Sequence, residues 1–303
     1  MRKSFDAVMS EPKPNWIAAA ELGLVSSSFS TIVSQLFAAR LGRDAFVDWM
    51  TVATIPMRDA VLSAEPSWGA VLVGIAFHQW ADFSWAVIFF GLLGRWTAKL
   101  SPLRIFLLAI PWAMFSSASE WLVLVPLLPF QQPLFTLQQP YWTGLLVHIA
   151  SASMYPLFAW LRWPLGRAPS TKAVRSAKAW GAGGLALVCI LATLALSSRL
   201  GWELPWMGGD REIDQDYIRH MTTHHAQGIE LARLGEQRLQ DAHLRALASL
   251  MIASQVGENR IFDAWWQSWF SVPMPDCTAQ ERAGMPGYLT TDQMKEARSA
   301  SAD

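Results

Sequence analysis

Four residues on one short stretch of this chain have the types and spacing to hold a metal ion. His220 and His224 are four apart, and so are Met221 and His225, so each pair stacks along one strip of a helix. Thioether sulfur favours Cu(I), and imidazole suits copper, zinc or iron. Downstream, Gln255 and Glu258 interrupt an apolar stripe of Leu244, Ala248, Met251, Phe262, Trp265 and Trp269, spaced by threes and fours. A hairpin folded near Gln240 brings residues equidistant from the turn level with one another. It sets His225 opposite Gln255 and Met221 opposite Glu258. The candidate metal residues are therefore Met221, His224, His225, Glu258, His220 and Met251, with Glu258 either a ligand or an orienting group behind an imidazole. The alternative is a core methionine flanked by surface histidines.

A second set lies in apolar sequence. His78 and Asp82 are four apart and share a helix face, Glu120 sits in the next apolar segment, and His148 in the one after. Ionisable groups within membrane spans are costly and face an interior or a wet cavity. Such a cluster could carry protons or ions or bind a metal. It could equally tie helices together with Ser116, Ser117 and Ser119. Pro111 and Pro156 predict kinks, which leave room for a cavity.

The elements that must position these residues follow from hydropathy. The chain has 303 residues, 52% hydrophobic and only 16% charged, against about 25% charged in an average soluble domain. About 20 mostly apolar residues cross a hydrocarbon core. Residues 69–93, 103–127, 141–163 and 180–200 meet that length. Residues 17–39 form a fifth, weaker span, because Glu21 and the run Ser26-Ser27-Ser28 lie inside it. Residues 46–62 suit a short helix at the membrane surface. Gly181, Gly183 and Gly184 suggest close helix packing. The 17 tryptophans fit a protein with long membrane–water boundaries.

Charge divides the chain. Residues 1–205 carry 15 basic and 10 acidic side chains, and residues 206–303 carry 9 and 14. The basic residues cluster at the ends of apolar segments, which argues against nucleic acid as a partner. Arg95, Lys99 and Arg104 fall in one loop, and Arg162, Arg167, Lys172, Arg175 and Lys178 in the next but one; residues 128–140 between them hold no Lys or Arg. That alternation places a tail of residues 1–16 in the cytoplasm and residues 211–303 outside it. The localisation expected is a bacterial-type inner membrane, with several passes and no cleaved leader. A linker of residues 201–210, at most about 35 Å long when extended, holds the outer part near the bilayer. Two cysteines, Cys189 and Cys277, predict no disulfide framework. Residues 213–239 and 242–269 read as the two arms of the hairpin. Because two helices alone bury polar groups poorly, a partner helix or a homo-oligomer is expected.

The run Asp214-Gln-Asp216-Tyr217-Ile-Arg-His220-Met221-Thr-Thr-His224-His225-Ala-Gln-Gly-Ile229-Glu resembles the start of the ferritin-like domain of unknown function 305. Gln255-Val-Gly-Glu258, Trp265 and Met285-Pro286-Gly287 match its later motifs. The resemblance implies an extracytoplasmic copper-binding domain in which Met221, His224 and His225 are the first ligands to test. Leu231 and Phe262 stand where the family usually has Met, and no second His-His hairpin follows, which leaves zinc or Cu(II) beside Cu(I).

The sequence thus predicts an all-α protein: a polytopic bundle of about five spans followed by a ferritin-like helical hairpin. The expected function is a membrane-anchored metal-binding protein, with copper as the ion and zinc as the alternative, in copper homeostasis or tolerance. A membrane oxidoreductase carrying haem on His78 and His148, or an ion-translocating protein using His78, Asp82, Glu120 and His148, is the second reading. A structural or interaction module is the third. Di-iron chemistry would need Glu-x-x-His motifs, and the outer part has none.

Overall fold

The computed structural model describes residues 12–57, 61, 67–127, 138–163 and 171–300, and every element among them is helical. In chain order the helices are α1 (Asn15–Arg40), α2 (Ala45–Met57), α3 (Trp68–Leu92), α4 (Pro102–Leu127), α5 (Tyr141–Leu161) and α6 (Thr171–Arg199). They are followed by α7 (Arg211–Arg238), α8 (Ala242–Trp269), α9 (Ala279–Gly284) and α10 (Thr291–Ser299). Helices α1, α3, α4, α5 and α6 are long and apolar enough to cross a membrane. Residues 1–11 of the expected tail 1–16, and 128–137 of the uncharged loop 128–140, lie outside the described residues.

Helix α1 shows how a weak span tolerates polar groups. Glu21 pairs with Lys13 at 2.7 Å, which neutralises its charge. Ser26, Ser27 and Ser30 are buried, and their hydroxyls bond to carbonyls one turn back, so none needs water. Helix α6 begins at Thr171, nine residues before the expected start at 180. Lys172, Arg175 and Lys178 are good helix formers, so the helix extends beyond the apolar stretch that hydropathy detects.

By its contacts the chain divides into two compact units. The first comprises residues 1–35, 72–129 and 139–190. Its core joins small residues on facing helices (Ala18, Ala86, Ala109, Ala152) to aromatic side chains, with Phe90 stacked on Phe158 at 3.9 Å. Small residues let helices approach closely where no hydrophobic force drives them together. Of the two expected kink sites, Pro156 lies in a 3-10 turn, Tyr155–Leu157, within α5, whereas Pro111 lies in continuous α-helix nine residues before the π turn Glu120–Leu124 of α4. The close packing expected of three glycines holds only for Gly184, which faces Met154 and Phe29; Gly181 and Gly183 have nothing near them. Helix α6 is almost entirely exposed along its apolar stretch, so most of its glycines meet no neighbour.

The second unit comprises residues 36–71, 130–138 and 191–303. It is therefore larger than the hairpin alone. Helices α7 and α8 form that hairpin, joined through residues 239–241. Asp210 caps α7 by accepting from the amides of Glu212 and Ile213, and Asp241 caps α8 by accepting from Leu244. Ile218, Phe262, Trp266 and Phe270 make its aromatic core. Residues 201–210 are tied along α8: the Glu203 amide donates to Ser268, Ser268 donates to the Gly201 carbonyl, and the Trp269 indole donates to the Leu204 carbonyl. At the start of the unit, Arg40 holds Glu203 in a two-pronged ion pair, and Gly42 meets Gly257 backbone to backbone. Helix α2 buries one face, with the Asp48 carboxylate held by Arg43 and by the Gln138 amide.

Candidate metal centre on the hairpin

Helix α7 distributes its candidate residues over two faces. His225 looks towards α8: its Nε2 lies 3.4 Å from Glu258 Oε2 and its Nδ1 lies 3.2 Å from Asn259 Oδ1. The Gln255 amide lies against Gly228 instead. Both pairs are symmetric about a point between Asp241 and Ala242, not about Gln240. The expected register of His225 with Gln255 and Met221 with Glu258 is thus off by about one turn of α8. The reason is the connection, whose last residue, Asp241, serves as the cap of α8. Met221 consequently packs against the aromatic core of Phe262 and Trp266. Met251 lines an apolar groove with Leu231, Leu239, Leu244 and Ala297 near the turn.

His220 and His224 look away from α8, towards the C-terminal segment. The His224 Nε2 lies 3.8 Å from where a Cβ on Gly287 would stand, and Gly287 has φ +78°, a turn conformation that suits glycine. The Nδ1 of His224 is buried without a hydrogen-bond partner. His220 Nε2 is buried without a hydrogen bond as well, 3.6 Å from the Glu281 carboxylate.

Beside His220 stand two residues that the sequence analysis did not select. One donor atom each of His220, Cys277 and Glu281 lie within 4.8 Å of one another. Cys277 is a buried free thiol; its sulfur accepts from the Thr223 hydroxyl at 3.3 Å. Glu281 is gripped by Arg219 through both oxygens, at 2.6 and 3.2 Å. That guanidinium, with the Thr278 amide, holds the Glu281 carboxyl down at about 2, and the same contacts push Arg219 up. A sequence signal for this site exists. Thr278-Ala-Gln-Glu281 is a capping box, with both reciprocal bonds formed. It fixes Glu281 in the first turn of α9, directly after Cys277.

Imidazole nitrogen, thiol sulfur and carboxylate oxygen are the donor types of zinc and copper sites. The His220 nitrogen without a hydrogen bond is consistent with a ligand there, since buried polar atoms are mostly bonded.

The intramembrane candidates also meet. His148 bridges two carboxylates, with Nε2 3.1 Å from Glu120 Oε2 and Nδ1 3.5 Å from Asp82 Oδ1. Asp82 accepts from the Ser30 hydroxyl and lies 4.0 Å from His78. Glu120 accepts from the Trp85 indole, and Ser116 lies 3.3 Å from His148 Nδ1. Both ring nitrogens of His148 thus face polar partners.

Residues 214–303 match the family model described as Domain of unknown function (DUF305). The C-terminal part of this membrane-type helical chain carries that domain. No curated protein and no solved structure matches the chain.

Proposed function

We propose that this protein is membrane-anchored and binds a thiophilic transition metal, copper foremost and zinc as the alternative, on its extracytoplasmic C-terminal domain. The observation that carries the reading is the convergence of His220, Cys277 and Glu281. Thiolate selects Cu(I) and zinc over harder ions, and imidazole serves either. The resemblance-derived residues His224 and His225 take different places in this reading. His224, one turn along α7 from His220, is the nearest reserve donor. His225 with Glu258 is a separate pair inside the hairpin. The alternation of basic loops supports the outside placement, where such a site would capture or sense metal beside the bilayer.

The test is metal titration of the full-length protein in detergent, with Cu(I) and Zn(II) each competed against a chromophoric chelator. Cys277→Ser and His220→Ala should each weaken binding roughly 10–100-fold, the range by which even supporting groups alter metal affinity. His225→Ala should leave it unchanged. Equal affinity in wild type and Cys277→Ser would overturn the site, and loss in His225→Ala alone would move it to the hairpin interior.

A further inference from the structure

The ionisable groups inside the first unit meet pair by pair and not at one point. From Glu120 to His148 is 3.1 Å, from His148 to Asp82 3.5 Å, and from Asp82 to His78 4.0 Å. A metal site needs donors that converge on one point. Among the described residues the only convergent group of three is His220, Cys277 and Glu281. A succession of alternating carboxylates and imidazoles in pairwise contact is instead the arrangement that passes a proton from group to group. We propose that Glu120, His148, Asp82 and His78 form a proton relay within the membrane domain.

Three further observations favour a relay over structural glue. First, exposure is graded: the side chains of Glu120 and His78 are 23% and 13% exposed, whereas those of His148 and Asp82 are 5% and 3%. The middle of the chain of groups is its most deeply buried part. Second, among the described residues no Lys or Arg side chain pairs with these carboxylates; their neighbours are Ser30, Trp85, the two histidines and the buried Tyr155. A fixed cation would pin the negative charge, whereas imidazole and hydroxyl partners let protonation change. Third, Glu120 opens the π turn of α4, and such turns recur at functional sites.

The step balances without a co-reactant. A protonated Glu120 gives its O–H proton to Nε2 of neutral His148, forming an N–H bond there. The Nδ1–H bond of His148 breaks, and its proton forms an O–H bond on Asp82. Imidazole remains neutral in its other tautomer, and rotation of the ring, which exchanges the places of its two nitrogens, resets it for the next proton. Asp82 passes the proton on to His78. The 3.5 and 4.0 Å separations close by side-chain rotation or through one water, as in other general acid–base transfers.

The test is infrared hydrogen–deuterium exchange on the full-length protein in lipid vesicles. The carboxylic acid band of Asp82 is assigned by its loss in Asp82→Asn. In wild type that band should exchange rapidly on transfer to D2O. Glu120→Gln and His148→Ala should slow it roughly tenfold or more, and imidazole in the buffer should restore the rate in His148→Ala. Glu21→Gln, whose carboxylate pairs with Lys13 apart from these groups, should exchange like wild type. An unchanged rate in both Glu120→Gln and His148→Ala overturns the relay. So does the absence of an Asp82 carboxylic acid band at every pH where the protein stays folded. If His148→Ala fails to fold, the rate in Glu120→Gln decides alone.

Discussion

The imidazole of His225 reaches across the hairpin to the Glu258 carboxylate at 3.4 Å, from a buried position to a half-exposed one. Burial holds this imidazole below the ordinary histidine value, against the opposing pull of Glu258 and Asn259. A base whose folded pKa is lowered binds its proton more readily in the unfolded chain. Stability is therefore lost as pH falls through the unfolded value of about 6.5, and the loss levels off below the folded value. The thermal midpoint of the protein should drop across that window. In His225→Gln it should start lower and lack this drop. Melting curves followed by tryptophan fluorescence at stepped pH check this; parallel profiles would acquit His225.

The ion pair between Arg40 and Glu203 is the next test. Its Glu203 side chain is only 2% exposed and Arg40 18%, with both oxygens bonded at 2.6 and 3.0 Å. Removing one partner strands a buried charge, which costs about 3–5 kcal/mol, whereas replacing both with apolar groups is often near neutral. Arg40→Ala should therefore lower stability more than Arg40→Met combined with Glu203→Leu. A double-mutant cycle in detergent measures the difference, and additive single effects would show the pair to be uncoupled.

These two pairs also show what the sequence made legible. The five spans and both hairpin arms follow from hydropathy and three–four periodicity, because each is a property of local sequence. That His225 faces the Gln255–Glu258 stretch of α8 was readable from the hairpin; that its partner is Glu258 and not Gln255 was not. Moving the symmetry point from Gln240 to just past Asp241 shifts the partner by a full turn. Arg40 with Glu203 lies beyond such reasoning, since 163 residues separate them and no periodicity joins them. Cys277 had a local signal in the capping box after it, but a lone cysteine in polar sequence carries no spacing pattern. The meeting of Glu120, His148 and Asp82 was foreseeable as shared burial, while the order of its contacts depends on how three helices pack.

Gly42 and Gly257 give a steric prediction. Gly42 has φ +76°, and a Cβ on either glycine would overlap the other's carbonyl. Gly257→Ala forces the two backbones apart, and overpacking of that kind costs about 1–3 kcal/mol. Gly42→Ala adds left-handed strain of about 1–2 kcal/mol. The single variants should therefore rank Gly42→Ala below Gly257→Ala in thermal midpoint, with both below wild type. Midpoints equal to wild type would mean that this contact does not form.

Metal binding should carry a characteristic acid dependence. Arg219 keeps Glu281 ionised down to about pH 2, so that carboxylate adds no proton step at higher pH. Binding should weaken on acidification because nitrogen and sulfur donors must shed their protons to bind. Arg219→Met removes the guanidinium, which raises the Glu281 carboxyl towards the ordinary carboxylate range. A second weakening should then appear in that range. Affinity profiles for wild type and Arg219→Met, taken with zinc over the acid range, compare the two; identical profiles would exclude Glu281 from the site.

The outside placement of the C-terminal domain rests on the basic loops, and it can be read directly. The loop between α3 and α4 carries Arg95 and Lys99, and Arg104 opens α4; Lys172, Arg175 and Lys178 lie in the first turns of α6. If these sit in the cytoplasm, a single further crossing by α6 carries α7 and the His220–Cys277–Glu281 group to the other side. Alkaline phosphatase fused after residue 303 should then be active, and a fluorescent protein fused there should stay dark. Replacing Lys172, Arg175 and Lys178 with Gln removes part of the charge bias, so the active fraction of the phosphatase fusion should fall. A fusion that is dark for phosphatase and bright for the fluorescent protein in the native sequence would put the domain inside and remove the reason to place metal capture outside.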